Sequence, residues 1–62
     1  MNKQEFRKRV LSTYSASTGD YINKDDYHYD VVISKVDKLF KQGFGVEESA
    51  QLLDEFISDM WV

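Results

Sequence analysis

Lys41-Gln42-Gly43-Phe44-Gly45-Val46-Glu47-Glu48 is the stretch that decides the fold of this chain, because it ends one amphipathic run and starts another. Gly43 fits the left-handed position that commonly follows a helix, since a residue without a Cβ adopts that conformation without steric strain. Phe44 can then fold back onto the last helical turn. Glu47 and Glu48 follow at the positive end of the next helix. The stretch therefore predicts a helix, a tight Gly-Phe-Gly turn and a second helix.

Hydrophobic periodicity extends this pattern in both directions and predicts an all-α fold. Apolar residues recur at helical spacing in three segments, at about residues 2–15, 24–42 and 46–60. The middle segment has a β-branched centre, yet its pattern continues for too many turns to be a strand. We expect a single three-helix domain that comprises residues 1–62.

Local signals place the ends of the first two helices. Asn2 can cap the first helix, with Glu5 three residues later as a weak capping box. Small hydroxyl residues and a glycine at positions 15–20 predict the break that follows. Asn23 is predicted to cap the second helix, with Asp26 in its first turn.

The predicted core combines one apolar face from each helix. Its members are Phe6, Val10, Leu11, Val32, Val36, Leu39, Phe40, Ala50, Leu53 and Ile57. Tyr21 and Ile22 interrupt the polar connection between the first two helices, so we expect both to fold over this core. The last helix is apolar on more than one side, which indicates two packing partners or a contribution to an interface.

Composition and charge limit the class of protein. The chain has 62 residues, no cysteine and a formal net charge of −3. Without cysteine, neither a disulfide nor a thiolate zinc site can support so small a core. No apolar run approaches the roughly 20 residues that span a bilayer, and no signal-peptide core follows the polar start. We therefore expect a soluble, cytoplasmic protein with no membrane contact.

Residues 39–53 resemble a known helical unit. Leu39-Phe40, the Gly43-Phe44 turn and the following Glu-Glu-Ser-Ala-Gln-Leu-Leu are similar to the first helix, Gly-Phe loop and second helix of ubiquitin-associated domains. The resemblance covers about 15 residues. Those domains continue with a third helix after this pair, whereas here the additional helix precedes it. The ubiquitin-binding function that the resemblance implies is therefore not assigned to this chain.

Candidate catalytic and metal-binding residues are few. Asp26 and Asp30 would share one face of the second helix, where a hard cation could bind, but they do not form a calcium-loop pattern. His28 is the only histidine, so it provides neither a zinc set nor an oriented catalytic partner. We expect no metal, no cofactor and no enzymatic activity.

Aromatic and acidic residues indicate binding to another protein instead. The chain has more large rings than it can easily bury, and tyrosine and tryptophan are favoured at interfaces. We expect one or two of these rings to be exposed, and the leading candidates are Tyr27, Tyr29 and Trp61. The predicted partner-binding residues are Tyr27, Tyr29, Glu47, Glu48, Asp54, Glu55, Phe56 and Trp61. The leading hypothesis is a small adaptor or regulator, of the kind encoded by bacteria or their phages, that occupies the surface of a protein partner.

Two alternatives remain open. Residues 1–10 carry a charge of +3 and the rest of the chain −6. The basic first helix could therefore bind nucleic acid as an accessory protein. The residues for this role are Lys3, Arg7, Lys8 and Arg9. The other alternative is a self-assembling structural component or homodimer, with a seam formed by Leu52, Phe56, Met60 and Trp61.

Overall fold

A computed structural model describes residues 1–26 and 28–60 and confirms the all-α, three-helix prediction. Helix α1 comprises Lys3–Thr18, α2 comprises Tyr29–Gln42 and α3 comprises Val46–Met60. Within the described residues, none of these helices is both long and apolar enough to cross a membrane.

Helix α1 begins as predicted but ends one turn later. The Asn2 side chain accepts a hydrogen bond from the Glu5 N–H at 2.8 Å. The predicted end at residue 15 is wrong, because the hydroxyl residues that follow do not break the helix. Thr18 Oγ1 donates to the carbonyl oxygen of Tyr14 at 2.8 Å, which holds the last turn together. Gly19 then ends the helix in the left-handed conformation, with φ 80°.

Helix α2 starts at Tyr29, and the predicted start near residue 24 is wrong. The Asp26 N–H donates to the Asn23 carbonyl oxygen at 3.0 Å, so this segment forms a turn instead of a capped helix. The Asp26 side chain then accepts from the His28 N–H at 3.1 Å. Such local side-chain bonds compete with helical ones, and they delay the helix until Tyr29.

The turn between α2 and α3 has the geometry that its sequence predicts. Gly43 has φ 90°, and its N–H donates to the Phe40 carbonyl oxygen at 3.1 Å. The Phe44 N–H donates to the Leu39 carbonyl oxygen at 3.2 Å. These two bonds form a Schellman motif, which satisfies carbonyl groups that the end of α2 leaves without helical partners.

The core lies where the three helices meet, and it differs from the prediction at four positions. Leu11 and Phe40 are only partly buried, although both pack against the core. Tyr14 and Ser49 are buried but were not predicted. The remaining predicted residues are buried as expected, each large one contributing about 1.5–3 kcal/mol of hydrophobic stabilisation. These residues are Phe6, Val10, Val32, Val36, Leu39, Ala50, Leu53 and Ile57.

Two contacts join the start of α1 to the end of α2. The rings of Phe6 and Phe40 lie 4.9 Å apart between centroids and are tilted by 49°. One residue further along α1, Arg7 forms a two-bond ion pair with Asp37. Helix α1 also packs extensively against α3, so the first helix closes the core against the helical pair.

Candidate functional site

The outward side of α3 carries the predicted acidic residues. Because the buried residues Ala50, Leu53 and Ile57 recur at helical spacing, the opposite side of α3 faces solvent. Glu47 and Asp54 lie on the flank next to α1, and the other exposed carboxylates lie at the centre of this side and on its far flank. Together these carboxylates form what we call the acidic face, which comprises Glu47, Glu48, Asp54, Glu55 and Asp59.

The acidic face belongs to no ion pair found in the described residues, although Lys8 and Arg9 line the same groove as Glu47. Helix α3 contains no lysine or arginine. The ion pairs found among residues 1–26 and 28–60 join Arg7 to Asp37 and Arg9 to Glu5, so neither involves α3. The face therefore presents five carboxylates to solvent without a described cationic partner.

The helix dipole accounts for only part of this charge. Glu47 and Glu48 lie in the first turn of α3, where the positive helix end stabilises them. Glu55 and Asp59 lie towards the negative end and are four residues apart, so they repel each other as well. The last turn has no basic residue to offset them. The acids at the C-terminal half are therefore unfavourable for α3 itself.

Two of the four predicted aromatic contact residues are described, and neither is fully exposed. Tyr29, one of the three candidates for an exposed ring, is partly buried at the first turn of α2. Phe56 packs against the core, and the Lys35 Nζ lies 5.4 Å from the centroid of its ring. Tyr27 and Trp61 lie outside the described residues.

Tyr21 is the exposed aromatic residue that the sequence prediction missed. Its side chain is 80% exposed, whereas the adjacent Ile22 packs against the core. The expectation that both residues fold over the core is therefore wrong for Tyr21. Both residues lie outside the helices, so the sequence offers no periodicity that distinguishes them.

The basic residues of α1 do not form a uniform cationic surface. Arg7 Nε and Nη2 donate to the two Asp37 carboxylate oxygens at 2.6 and 2.5 Å. These hydrogen bonds lower the pKa of Asp37 below its ordinary value, although partial burial of the carboxyl acts in the opposite direction. Arg9 lies 3.4 Å from Glu5, while Lys3 and Lys8 are exposed. The guanidinium fork of Arg7 is therefore already occupied by a carboxylate.

The residues considered for metal binding do not come together as expected. Asp26 lies in the turn before α2, so it does not share a helical face with Asp30. The described part of the chain contains no group of three or more metal-ligating side chains of the His, Cys, Asp or Glu type.

The predicted dimer seam is mostly used within the domain. Phe56 and Met60 pack against the core, and Leu52 is partly buried. Trp61 again lies outside the described residues. Among residues 46–60, the part of this side that stays accessible is a narrow apolar border next to the acidic face.

The grooves found on the described surface are open to solvent. The largest has a volume of about 600 Å³ and lies between α1 and the start of α3. Its lining is mostly polar, and includes Glu5, Lys8, Arg9, Ser12 and Glu47.

No protein-family model, curated protein or solved structure matches this chain. A functional hypothesis must therefore rest on the geometry and charge of its own surfaces.

Proposed function

We propose that this protein is a small non-enzymatic binding module, an adaptor or regulator, that uses the acidic face of α3 to occupy a basic surface on another protein. The observation that carries this proposal is the concentration of five exposed carboxylates on a helix without lysine or arginine. Complementary charge across an interface accelerates encounter and disfavours partners of the wrong sign.

The position of these carboxylates supports a binding role more than a purely structural one. Acids in the first turn stabilise a helix, but Asp59 is in the last turn, where negative charge is disfavoured, and Glu55 repels it from four residues away. A lysine at position 55 or 59 would make the isolated domain more stable. Contact with a positively charged partner would remove this cost, because the partner supplies the missing cations.

The border of the acidic face offers the apolar contact that a stable interface needs. Leu52 and Phe56 are partly buried and lie beside the row formed by Glu48 and Glu55. Interfaces commonly have an apolar centre surrounded by polar residues. We infer a partner surface in which lysine or arginine side chains surround a small apolar projection.

The nucleic-acid alternative requires the basic residues of α1 to act together. Arg7 would have to leave Asp37 in order to bind a phosphate, and Arg9 has Glu5 within 3.4 Å. The overall charge of −3 also opposes approach of a polyanion. The self-assembly alternative would use the same apolar border at Leu52 and Phe56, beside carboxylates that would repel those of a second copy. Both alternatives are less well supported than a basic protein partner.

Affinity capture with charge-reversed variants tests the proposal. The immobilised protein would be exposed to nuclease-treated bacterial lysate at low and high salt. The test variant replaces Glu47, Glu48, Asp54 and Glu55 with lysine. The control replaces two exposed loop acids, Asp20 and Asp25, with lysine, which shifts the net charge in the same direction by half as much, and circular dichroism would establish that both variants remain helical.

We expect the wild type and the loop control to retain the same discrete protein. The α3 variant should retain at least about tenfold less of it, since several complementary charges are lost. Equal capture by the α3 variant would eliminate the acidic face from the function. Recovery of nucleic acid alone, in a parallel sample without nuclease, would support the basic helix instead.

A further inference from the structure

A second candidate binding surface lies on the other side of α1 from the acidic face. Two adjoining grooves run between α1 and the segment that connects it to α2, and they share Leu11. Each has a volume of about 410 Å³, within the usual range for sites that accept small ligands or a few side chains. We call this pair the α1–loop groove.

The two parts of the α1–loop groove differ in chemistry. One part has apolar walls formed by Leu11 and Ile22, with Tyr21 beside them. The other part is lined by Lys8, Lys24 and Tyr29, together with Arg7. No aspartate or glutamate lines either part within the described residues. A surface without lining acids is notable on a protein whose formal net charge is −3.

The available charge of the groove comes from its lysines. Arg7 is already paired with Asp37, so it contributes little net charge. Lys8 and Lys24 are exposed and belong to no ion pair found in the described part of the chain. A ligand with carboxylates next to an apolar residue would complement both the lysines and the Leu11 wall.

We propose that the α1–loop groove binds an extended acidic peptide segment with an apolar anchor residue. The anchor occupies the space between Leu11 and Ile22, where the exposed ring of Tyr21 can cover it. A carboxylate then reaches Lys8 or Lys24. One helical turn separates Lys8 from Leu11, about 5 Å along α1. An extended peptide advances about 3.3 Å per residue, so the anchor and the carboxylate are two residues apart.

A peptide fits this groove better than a nucleic acid. A phosphodiester gains little from the apolar walls at Leu11 and Ile22, and Arg7 is not free to bind it in two-bond fashion. A long polyanion is also repelled by the net negative charge of the protein, whereas a short peptide carries only a few charges. This proposal concerns a different surface from the acidic face and does not depend on it.

Nuclear magnetic resonance titration of the isotopically labelled full chain tests the proposal. The probe is the capped peptide Glu-Ser-Leu-Ser-Glu-Ser-Leu-Ser-Glu, and its counterpart has lysine at every glutamate. We expect the acidic peptide to shift the amide signals of Leu11, Ile22 and Lys24 saturably, with a Kd of about 1 mM or lower. The basic peptide should cause no such shifts.

Variants separate the groove from a general charge effect. Lys8→Glu combined with Lys24→Glu should weaken binding at least about tenfold. The matched control reverses Lys38 and Lys41, which are exposed on α2 and line neither part of the groove, and it should bind like the wild type. Tyr21→Ala should also weaken binding by several fold, and its 80% exposure means that the fold should be retained.

Three results would overturn the proposal. They are equal binding of the acidic and basic peptides, unchanged binding by the Lys8 and Lys24 variant, or peptide-induced shifts that fall outside the α1–loop groove. A thymidine decamer would be titrated in parallel. Tighter binding of the decamer at the same residues would assign the groove to a phosphate backbone and also contradict the peptide proposal.

Discussion

Gly43 adopts φ 90°, a conformation that is strained for any residue with a Cβ. Gly45 has no positive φ, and a Cβ added at either glycine would meet no atom within 4 Å. The two positions therefore differ in backbone conformation and not in available space. Gly43→Ala should lower the free energy of unfolding by about 1–2 kcal/mol, whereas Gly45→Ala should leave it unchanged or raise it by up to about 1 kcal/mol. Chemical denaturation of both variants provides the measurement, and equal effects would show that the left-handed conformation is not what Gly43 supplies.

Ser49 is fully buried, and its Oγ has no hydrogen-bond partner within the described structure. A buried hydroxyl that has lost its hydration without a replacement bond destabilises a protein. Ser49→Ala should therefore raise the free energy of unfolding by roughly 1–2 kcal/mol, because it removes this polar group and also favours the helix. Ser58→Ala, at an exposed position of the same helix, controls for helix propensity alone. A thermal or denaturant midpoint that falls for Ser49→Ala would mean that the hydroxyl makes a stabilising bond.

Helical spacing predicts that Ser49 is buried, since it lies four residues before Leu53 and three after Val46. Its burial follows from helical position and not from residue type. Tyr14 lies four residues after Val10, so helical spacing also places it on the buried side of α1, and it is 3% exposed. In both cases periodicity was the better guide than residue type.

A helix end could be predicted from the sequence where adjacent residues alone determine the backbone conformation. The start of α3 and the turn at Gly43 follow from backbone requirements of adjacent residues, and both were predicted. The start of α2 depends on Asp26 bonding to the His28 N–H instead of supporting a helix from Asn23. Sequence alone does not decide between these competing local bonds. The outward position of the α3 acids followed from helical spacing, whereas the pairing of Arg7 with Asp37 joins two helices and required the tertiary structure.

The charge distribution along α3 predicts opposite effects of the same substitution at its two ends. Replacement of Glu55 and Asp59 with lysine should raise the free energy of unfolding by about 0.5–1 kcal/mol, because cations suit the negative end of a helix. Replacement of Glu47 and Glu48 with lysine should lower it by a similar amount, because both lie in the first turn. Denaturation at low ionic strength would measure the two changes. Effects of the same sign at both ends would contradict the dipole argument.

The Arg7–Asp37 pair connects two helices and should make the stability of the whole domain depend on pH. Hydrogen bonding to Arg7 lowers the pKa of Asp37 in the folded protein. The pair therefore stabilises the domain fully at pH values above the ordinary pKa of an aspartate. That contribution is lost as the pH falls from about 5 towards the lowered pKa. Asp37→Asn should reduce the loss of stability over this interval.

Asp25→Asn is the control for that pH dependence, because Asp25 is exposed in the loop and belongs to no ion pair found in the described part of the chain. The free energy of unfolding, measured by urea denaturation from pH 7 to pH 2, should depend on pH in the same way for this variant as for the wild type. If the free energy of unfolding of Asp37→Asn falls with pH as steeply as that of the wild type, the pair is not formed in solution.

The central claim for the whole molecule is that the acids of α3 bind a partner, whether or not they also stabilise the helix. Capture of the lysate protein by the two lysine-pair variants of α3, compared with their unfolding free energies, tests it most directly. We predict that both variants capture less partner, although the Glu55 and Asp59 variant is more stable than the wild type and the Glu47 and Glu48 variant is less stable. Capture that is unchanged in both, or that rises and falls with stability, would contradict the claim.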